Sequence, residues 1–244
     1  ARNWCDACGA ILVEDAAHVL APVPGVGERG DFVLYSPHKL LPVPDGALLV
    51  VRERAKRLEP WVVKALRAIG GAHPHTQAWR LKRLIQKTPL GWLLARFRQG
   101  GQADFLSDPA AGPLPPTPMP SAAGAALLAR AELAAAAHRR QENAAALAQA
   151  IRAPKLWERL FPACNEFAPY RLVMRCTDPD RAAELYTRLR AARLPVESWP
   201  DLPPEVTSGT ALDLRRTLLL LPCHQSLSAN SLAQAYAQAV GVGR

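Results

Sequence analysis

Asp31-Phe32-Val33-Leu34-Tyr35-Ser36-Pro37-His38-Lys39 decides the reading of this chain. Residues 32–35 are branched or aromatic and short in span, as in a buried strand. The chain then turns polar at Ser36, and Lys39 follows at the carboxyl end. Pro42-Val43-Pro44-Asp45-Gly46 reads as a turn, with Gly46 permitting a close backbone approach, and residues 47–51 as a third strand. Upstream, Ile11-Leu12-Val13 is an apolar run ending in Glu14-Asp15, expected to be a buried parallel strand. A Pro- and Gly-containing loop, residues 21–30, separates the first two strands. Three short buried strands with polar residues at their carboxyl ends make the kind of site α/β proteins use.

The residue types at those ends suggest a chemistry. A lysine buried beside strands loses charge to desolvation, and a neutral amine attacks an aldehyde to form a Schiff base. Asp15 ends the neighbouring strand, where a carboxylate can keep a pyridinium nitrogen protonated. Ser36, three residues before Lys39, can bind a phosphate oxygen of the same group. One lysine and one carboxylate at adjacent strand ends is the minimal arrangement for pyridoxal 5'-phosphate.

Several stretches carry a family resemblance. Glu14-Asp15-Ala16-Ala17-His18 resembles the segment of the DegT/StrS-type sugar aminotransferases in which Asp binds the cofactor's ring nitrogen. Ser36-Pro37-His38-Lys39 with Pro44-Asp45-Gly46 resembles the Schiff-base segment. Val196-Glu197-Ser198-Trp199-Pro200-Asp201-Leu202-Pro203 and Leu220-Leu221-Pro222-Cys223-His224-Gln225-Ser226-Leu227 are similar to C-terminal stretches of the same fold-type-I enzymes. The resemblance implies Lys39 as the Schiff-base lysine, Asp15 as the ring-nitrogen partner and His18 against the cofactor. It also implies Ser36 at the phosphate and His38 orienting the lysine loop or facing the cofactor edge. His224 and Gln225 are secondary candidates on the substrate side. The implied activity moves an amino group from an amino acid to a keto-sugar or similar carbonyl, in a homodimer. The Ser-x-His-Lys form also resembles the class V branch, which includes desulfurases, so another pyridoxal-phosphate reaction, or a non-catalytic paralogue, stays open.

In that family the phosphate-binding loop and the ring-stacking aromatic precede the Asp strand. The chain begins Ala1-Arg2-Asn3-Trp4 without Met, and the expectation is the C-terminal two-thirds of such an enzyme, inactive by itself. The expected fold is α/β: part of a large domain with a mostly parallel sheet over residues 1–120, then a small α+β domain over 121–244. Residues 1–10 read as a helix closed by Gly9. Residues 55–69 and 76–98 also read as helices, 100–120 as a Pro-rich crossing loop, and 121–151 as one Ala-rich helix capped by Ser121. Beyond these, strands are expected at 170–176, 196–199 and 217–221, and helices from Asp178 to about 193 and over 227–240.

The net charge of +9 is spread along helical stretches with no interleaved aromatic motif, which argues against nucleic acid. No apolar run is long enough to cross a membrane. The five cysteines fall at irregular spacings, which argues against a disulfide framework and points to a reducing cytoplasm. Trp4-Cys5-Asp6-Ala7-Cys8 is followed within three residues by an apolar strand, where a thioredoxin-type pair would be starting a helix, and His73-Pro74-His75 has no second ligand pair, so neither redox chemistry nor a metal site is expected.

Overall fold

The computed structural model describes residues 1–20, 22–68, 76–86, 88, 105, 120–151, 157–159, 168–200, 202–207 and 209–241. Most of the crossing loop expected over 100–120, the His73–His75 pair, Cys164 and most of the stretch 87–98 lie outside them. The chain divides into two compact units, Ala1–Gln99 with Leu114–Leu133, and Gly100–Pro113 with Ala134–Arg244.

The first unit opens with helix α1 (Arg2–Cys8), closed as expected by Gly9 in the left-handed conformation at φ 69°. Strands β1 (Val13–Asp15), β2 (Phe32–Tyr35) and β3 (Leu48–Val51) form a sheet in that order. β1 and β2 are parallel, with Asp15 level with Leu34. β3 returns antiparallel, because the connection through the Pro42–Gly46 turn contains no crossover helix.

The expectation of three buried strands is corrected here. Only β2 has buried residues, Phe32 and Val33. Val13 is 56% exposed and Leu48 48%, since β1 and β3 are the edges and nothing among the described residues of this unit covers them. The expected helix over 55–69 begins as a tight turn at Glu53–Leu58 and becomes helix α2 at Glu59–Ala68. Its Val62 meets Phe32 and Ala55 in a small core. Helix α3 is Thr76–Gln86.

The Ala-rich segment is two helices rather than one. α4 (Ala122–Ala129) is capped by Ser121, whose side chain accepts from the Gly124 amide, and ends in a tight turn at Arg130 and Ala131. α5 (Leu133–Ala150) follows. Alanine favours helix at every one of these positions, so propensity alone does not mark the break. It falls where the two units divide.

In the second unit, strands β4 (Trp157–Arg159), β5 (Arg171–Cys176), β6 (Glu197–Ser198) and β7 (Leu218–Pro222) pair antiparallel in the order β4-β5-β7-β6. β5 alternates half-buried and buried residues, as one covered face requires. Helices α6 (Pro179–Ala191) and α8 (Ala229–Val240) supply Ala182, Tyr186, Leu189, Leu232 and Tyr236 to a core with Leu172, Met174, Leu219 and Leu221. α6 starts with Asp178 accepting from the Asp180 amide at 2.9 Å and with Pro179 at its first position. α7 (Thr210–Thr217) was not expected. It hides its polar character by burying Arg215, which donates to the Phe105 carbonyl at 3.0 Å. No helix among the described residues is long and apolar enough to cross a membrane.

Two carboxylates stitch β1 to the loop before β2. Asp31 accepts from the Leu12 amide at 2.7 Å and from Arg2 at 2.9 Å, and these hold its carboxyl below the usual range. Glu14 accepts from the amides of Gly27 (2.6 Å), Arg29 (2.7 Å) and Gly30. Partial burial pushes its pKa up, but the three amides and nearby Arg52 outweigh this and the net shift is downward.

Both depressed values set the sign of a pH effect. Their stabilisation is complete above the ordinary values of 4.5 for Glu and 3.8 for Asp, and is lost as pH falls further through the folded values. Glu14→Ala is expected to weaken this loop by about 1–3 kcal/mol at neutral pH. Amide hydrogen exchange at Gly27, Arg29 and Gly30 should accelerate in the variant, and its acid sensitivity should be smaller than that of the parent chain. In the second unit, Leu219 is fully buried, and Leu219→Ala is expected to cost about 2–5 kcal/mol, read as a lower urea midpoint.

Candidate active site

The parallel pairing of β1 and β2 determines what the strand ends offer. Val13, Glu14 and Asp15 face Phe32, Val33 and Leu34 in register, and the Ala16 amide continues the ladder to the Leu34 carbonyl at 2.8 Å. Asp15 therefore ends β1 one residue short of the level at which β2 ends. Both strands present their carboxyl ends on the same side, the side on which open α/β sheets bind ligands.

Asp15 is exposed there. One carboxylate oxygen accepts from the Ala17 amide at 2.8 Å, and its other oxygen has no partner among the described residues. That local bond fixes the carboxylate's orientation at the strand end while leaving it able to accept a ring N–H. His18 is exposed in the turn that follows, where the Val19 amide closes onto the Ala16 carbonyl.

After β2 the chain makes a tight helical turn at Pro37–Lys39, preceded by buried Ser36. The Ser36 carbonyl accepts from the Lys39 amide at 3.1 Å, and its hydroxyl does not cap the turn. Lys39 is exposed, not buried beside the strands as expected, because this turn lifts it clear of the sheet. Its ammonium has no partner among the described residues. His38 is also exposed, with Nδ1 3.2 Å from the Gly46 carbonyl, to which it can donate. The five expected residues thus divide between the two adjoining strand ends: Asp15 and His18 after β1, and Ser36, His38 and Lys39 after β2.

Reading along the sequence missed what two groups do. Glu14 serves only as part of a motif in that reading, yet it organises the whole 27–30 loop. Asp45 reaches across to Ser121, accepting from its amide at 3.0 Å and its hydroxyl at 2.8 Å. Gly124 leaves the room for this, since a Cβ there would collide with the Asp45 carboxylate. A bond between positions 45 and 121 has no local signature, although Ser121 is recognisable as a helix cap. His224 forms a local turn instead, its Nδ1 meeting the Ser226 hydroxyl at 2.8 Å and the Ser226 amide at 3.1 Å.

A separate cleft of about 450 Å³ is lined by Arg2, Cys5, Asp6, Asp31, Arg54 and Arg57, among others. It lies at the amino ends of β1 and β2, away from the five residues, and its Arg2 is already paired with Asp6 and Asp31. The strand-end rule favours the carboxyl side as the site. Among the described residues, no group of three or more His, Cys, Asp or Glu side chains could hold a metal ion.

No family model matches the chain. One stretch is 35% identical over 85 residues to serine hydroxymethyltransferase from Methanocella arvoryzae, covering 32% of this chain and 20% of that protein. Solved structures match nearly the whole chain at low identity. The aminotransferase TlmJ from Streptoalloteichus hindustanus is 19% identical with a TM-score of 0.59, over 99% of this chain and 61% of its own. Helicobacter pylori PseC, an aminotransferase involved in the biosynthesis of pseudoaminic acid, is 12% identical with a TM-score of 0.58, over 99% and 62%. A DegT/DnrJ/EryC1/StrS aminotransferase from Brucella abortus is 15% identical with a TM-score of 0.57, over 99% and 60%. The chain spans about three-fifths of the length of these structures. At such identities the likeness speaks to architecture, and the chain has part of the fold-type-I α/β fold of the sugar aminotransferases of the DegT/DnrJ/EryC1/StrS type.

Proposed function

We propose that this chain is the lysine-bearing part of a pyridoxal-phosphate-dependent aminotransferase that moves an amino group from an amino acid to a keto-sugar or similar carbonyl. The observation that carries the reading is the parallel register of β1 and β2, which brings a carboxylate with one oxygen still open and an unpaired primary amine to the same end of adjacent strands. The donor set fits the cofactor: Asp15 for a ring N–H, Lys39 for an aldehyde, and the Ser36 hydroxyl for a phosphate oxygen. His18 and His38 flank these positions on the two strand-end turns. The sugar acceptor rests on the fold likeness to sugar aminotransferases. A cytoplasmic homodimer is part of the same proposal.

Pyridoxal phosphate bound there supplies an electron sink that makes the α-proton of an amino-acid donor acidic. Asp15 would hold the cofactor by accepting a hydrogen bond from its ring nitrogen, and Lys39 Nζ would be the strand-end amine able to take and return a proton. The tie from His38 to the Gly46 carbonyl fixes the turn on which that nitrogen sits. The local match to a hydroxymethyltransferase supports a second reading, a carbon-transfer reaction on the same residues. Product analysis separates the two. A transaminase converts the amino donor into a keto acid, whereas hydroxymethyl transfer leaves the amine in place.

Borohydride treatment of the full-length protein with pyridoxal phosphate is expected to leave a pyridoxyl group on Lys39, located by peptide mass spectrometry. A label on Lys56 or Lys64 would remove the assignment, and Lys39→Ala should abolish the visible absorbance. Asp15→Asn keeps an oxygen for the Ala17 amide, so the fold should be unchanged. Losing a hydrogen bond to a charged group costs about 1.5–3 kcal/mol, which should slow the amino-donor half-reaction at least roughly tenfold. An unchanged half-reaction rate would exclude Asp15 as the ring partner.

A further inference from the structure

From the contacts that surround the lysine turn, we infer that Asp45 is a positioning residue for Lys39, held in place by the start of helix α4; the inference rests on the proposed role of Lys39. The Asp45 carboxylate grips one residue with both oxygens: Oδ1 accepts from the Ser121 amide at 3.0 Å, and Oδ2 accepts from the Ser121 hydroxyl at 2.8 Å. That hydroxyl in turn accepts from the Gly124 amide at 3.0 Å, so one oxygen both caps the helix and anchors the carboxylate. The negative charge sits at a helix N-terminus, where the dipole favours it.

The anchor reaches the lysine through two short links. Gly46 follows Asp45 with φ 103°, a backbone conformation that aims its carbonyl and that other residues rarely adopt. This carbonyl meets His38 Nδ1 at 3.2 Å, and His38 directly precedes Lys39. Lys39 is exposed and its ammonium has no hydrogen-bond or ion-pair partner among the described residues, so its direction follows from the turn, which backbone bonds and this tie hold. The fit at Gly124 is close. A Cβ there would collide with Asp45 Oδ1 and lie 3.2 Å from both Asp45 Cγ and Ser121 Oγ. A side chain at Gly124 therefore forces a shift in the fit between the carboxylate and Ser121.

Gly124→Ala disturbs the anchor without removing the carboxylate, and the better helix propensity of alanine partly offsets the weakened Asp45–Ser121 bonds. Shifting Asp45 should release the Gly46 carbonyl from His38 and let the lysine turn swing. Two measurements on the full-length protein test this, with Asp45→Ala as the second variant. The rate at which borohydride fixes pyridoxal phosphate onto Lys39 should fall by about tenfold in both, as small misplacements of a reacting group do. The ¹⁵N resonance of His38 Nδ1 should lose its hydrogen-bonded shift in both, at a temperature where both variants are fully folded. Parent-like trapping rates in both variants, or an unchanged His38 signal, overturn the inference. If the parent protein itself fails to capture pyridoxal phosphate on Lys39, the proposed function falls. The His38 resonance then decides whether Asp45 orders this turn.

Discussion

Glu14 is the contact on which the first unit is organised. Successive strand residues face opposite sides, so a carboxylate locked onto the amides of Gly27, Arg29 and Gly30 commits Glu14 to one face and Asp15 to the other. A slip of one residue would exchange them and remove the carboxylate from the strand end. Asp31 performs the same service at the opposite end of the loop, where the Leu12 amide and Arg2 hold it. The loop between the strands is therefore closed at both ends by carboxylate-to-amide bonds, and the parallel register follows from where those bonds can form.

The two units are held together differently. In the second, the sheet and two helices enclose Leu172, Leu189, Leu219 and Leu221, and area removed from water does most of the stabilising. In the first, the buried apolar cluster comprises Phe32, Ala55 and Val62, while Ile11, Val13, Leu48, Val50 and Trp61 stay exposed. Polar contacts there carry a larger share, which makes its order depend on the ionisation of a few side chains.

Much of the basic character is structural. Arg140 is buried and donates to the carbonyls of Pro169 and Tyr170, and burial lowers its pKa. Nearby Cys223 is pushed up to about 11 by the same burial, which keeps it an inert thiol beneath the Pro169 carbonyl. Arg171 and Arg175 pair with Glu197 and Asp213 on the second sheet.

The amino-acid sequence by itself determined the strands around Asp15 and Ser36, the Gly9 helix stop, the Asp178-Pro179 helix start and the strand at residues 171–176. Each is set by neighbours within a few positions: an apolar run, a missing Cβ or a capping carboxylate. It also brought forward Asp15, Ser36 and Lys39, because polar residues that end apolar strands stand out locally, while His18 and His38 came from the family resemblance. The exposure of Lys39, the antiparallel return of β3, the break between α4 and α5 and the helix at Thr210–Thr217 were decided in three dimensions. So were the three amides gathered by Glu14 and the reach of Asp45 to Ser121. Those depend on which segments meet, and a hydrogen bond between residues 76 positions apart leaves no periodicity to read. Only the folded chain brings its donor and acceptor within reach.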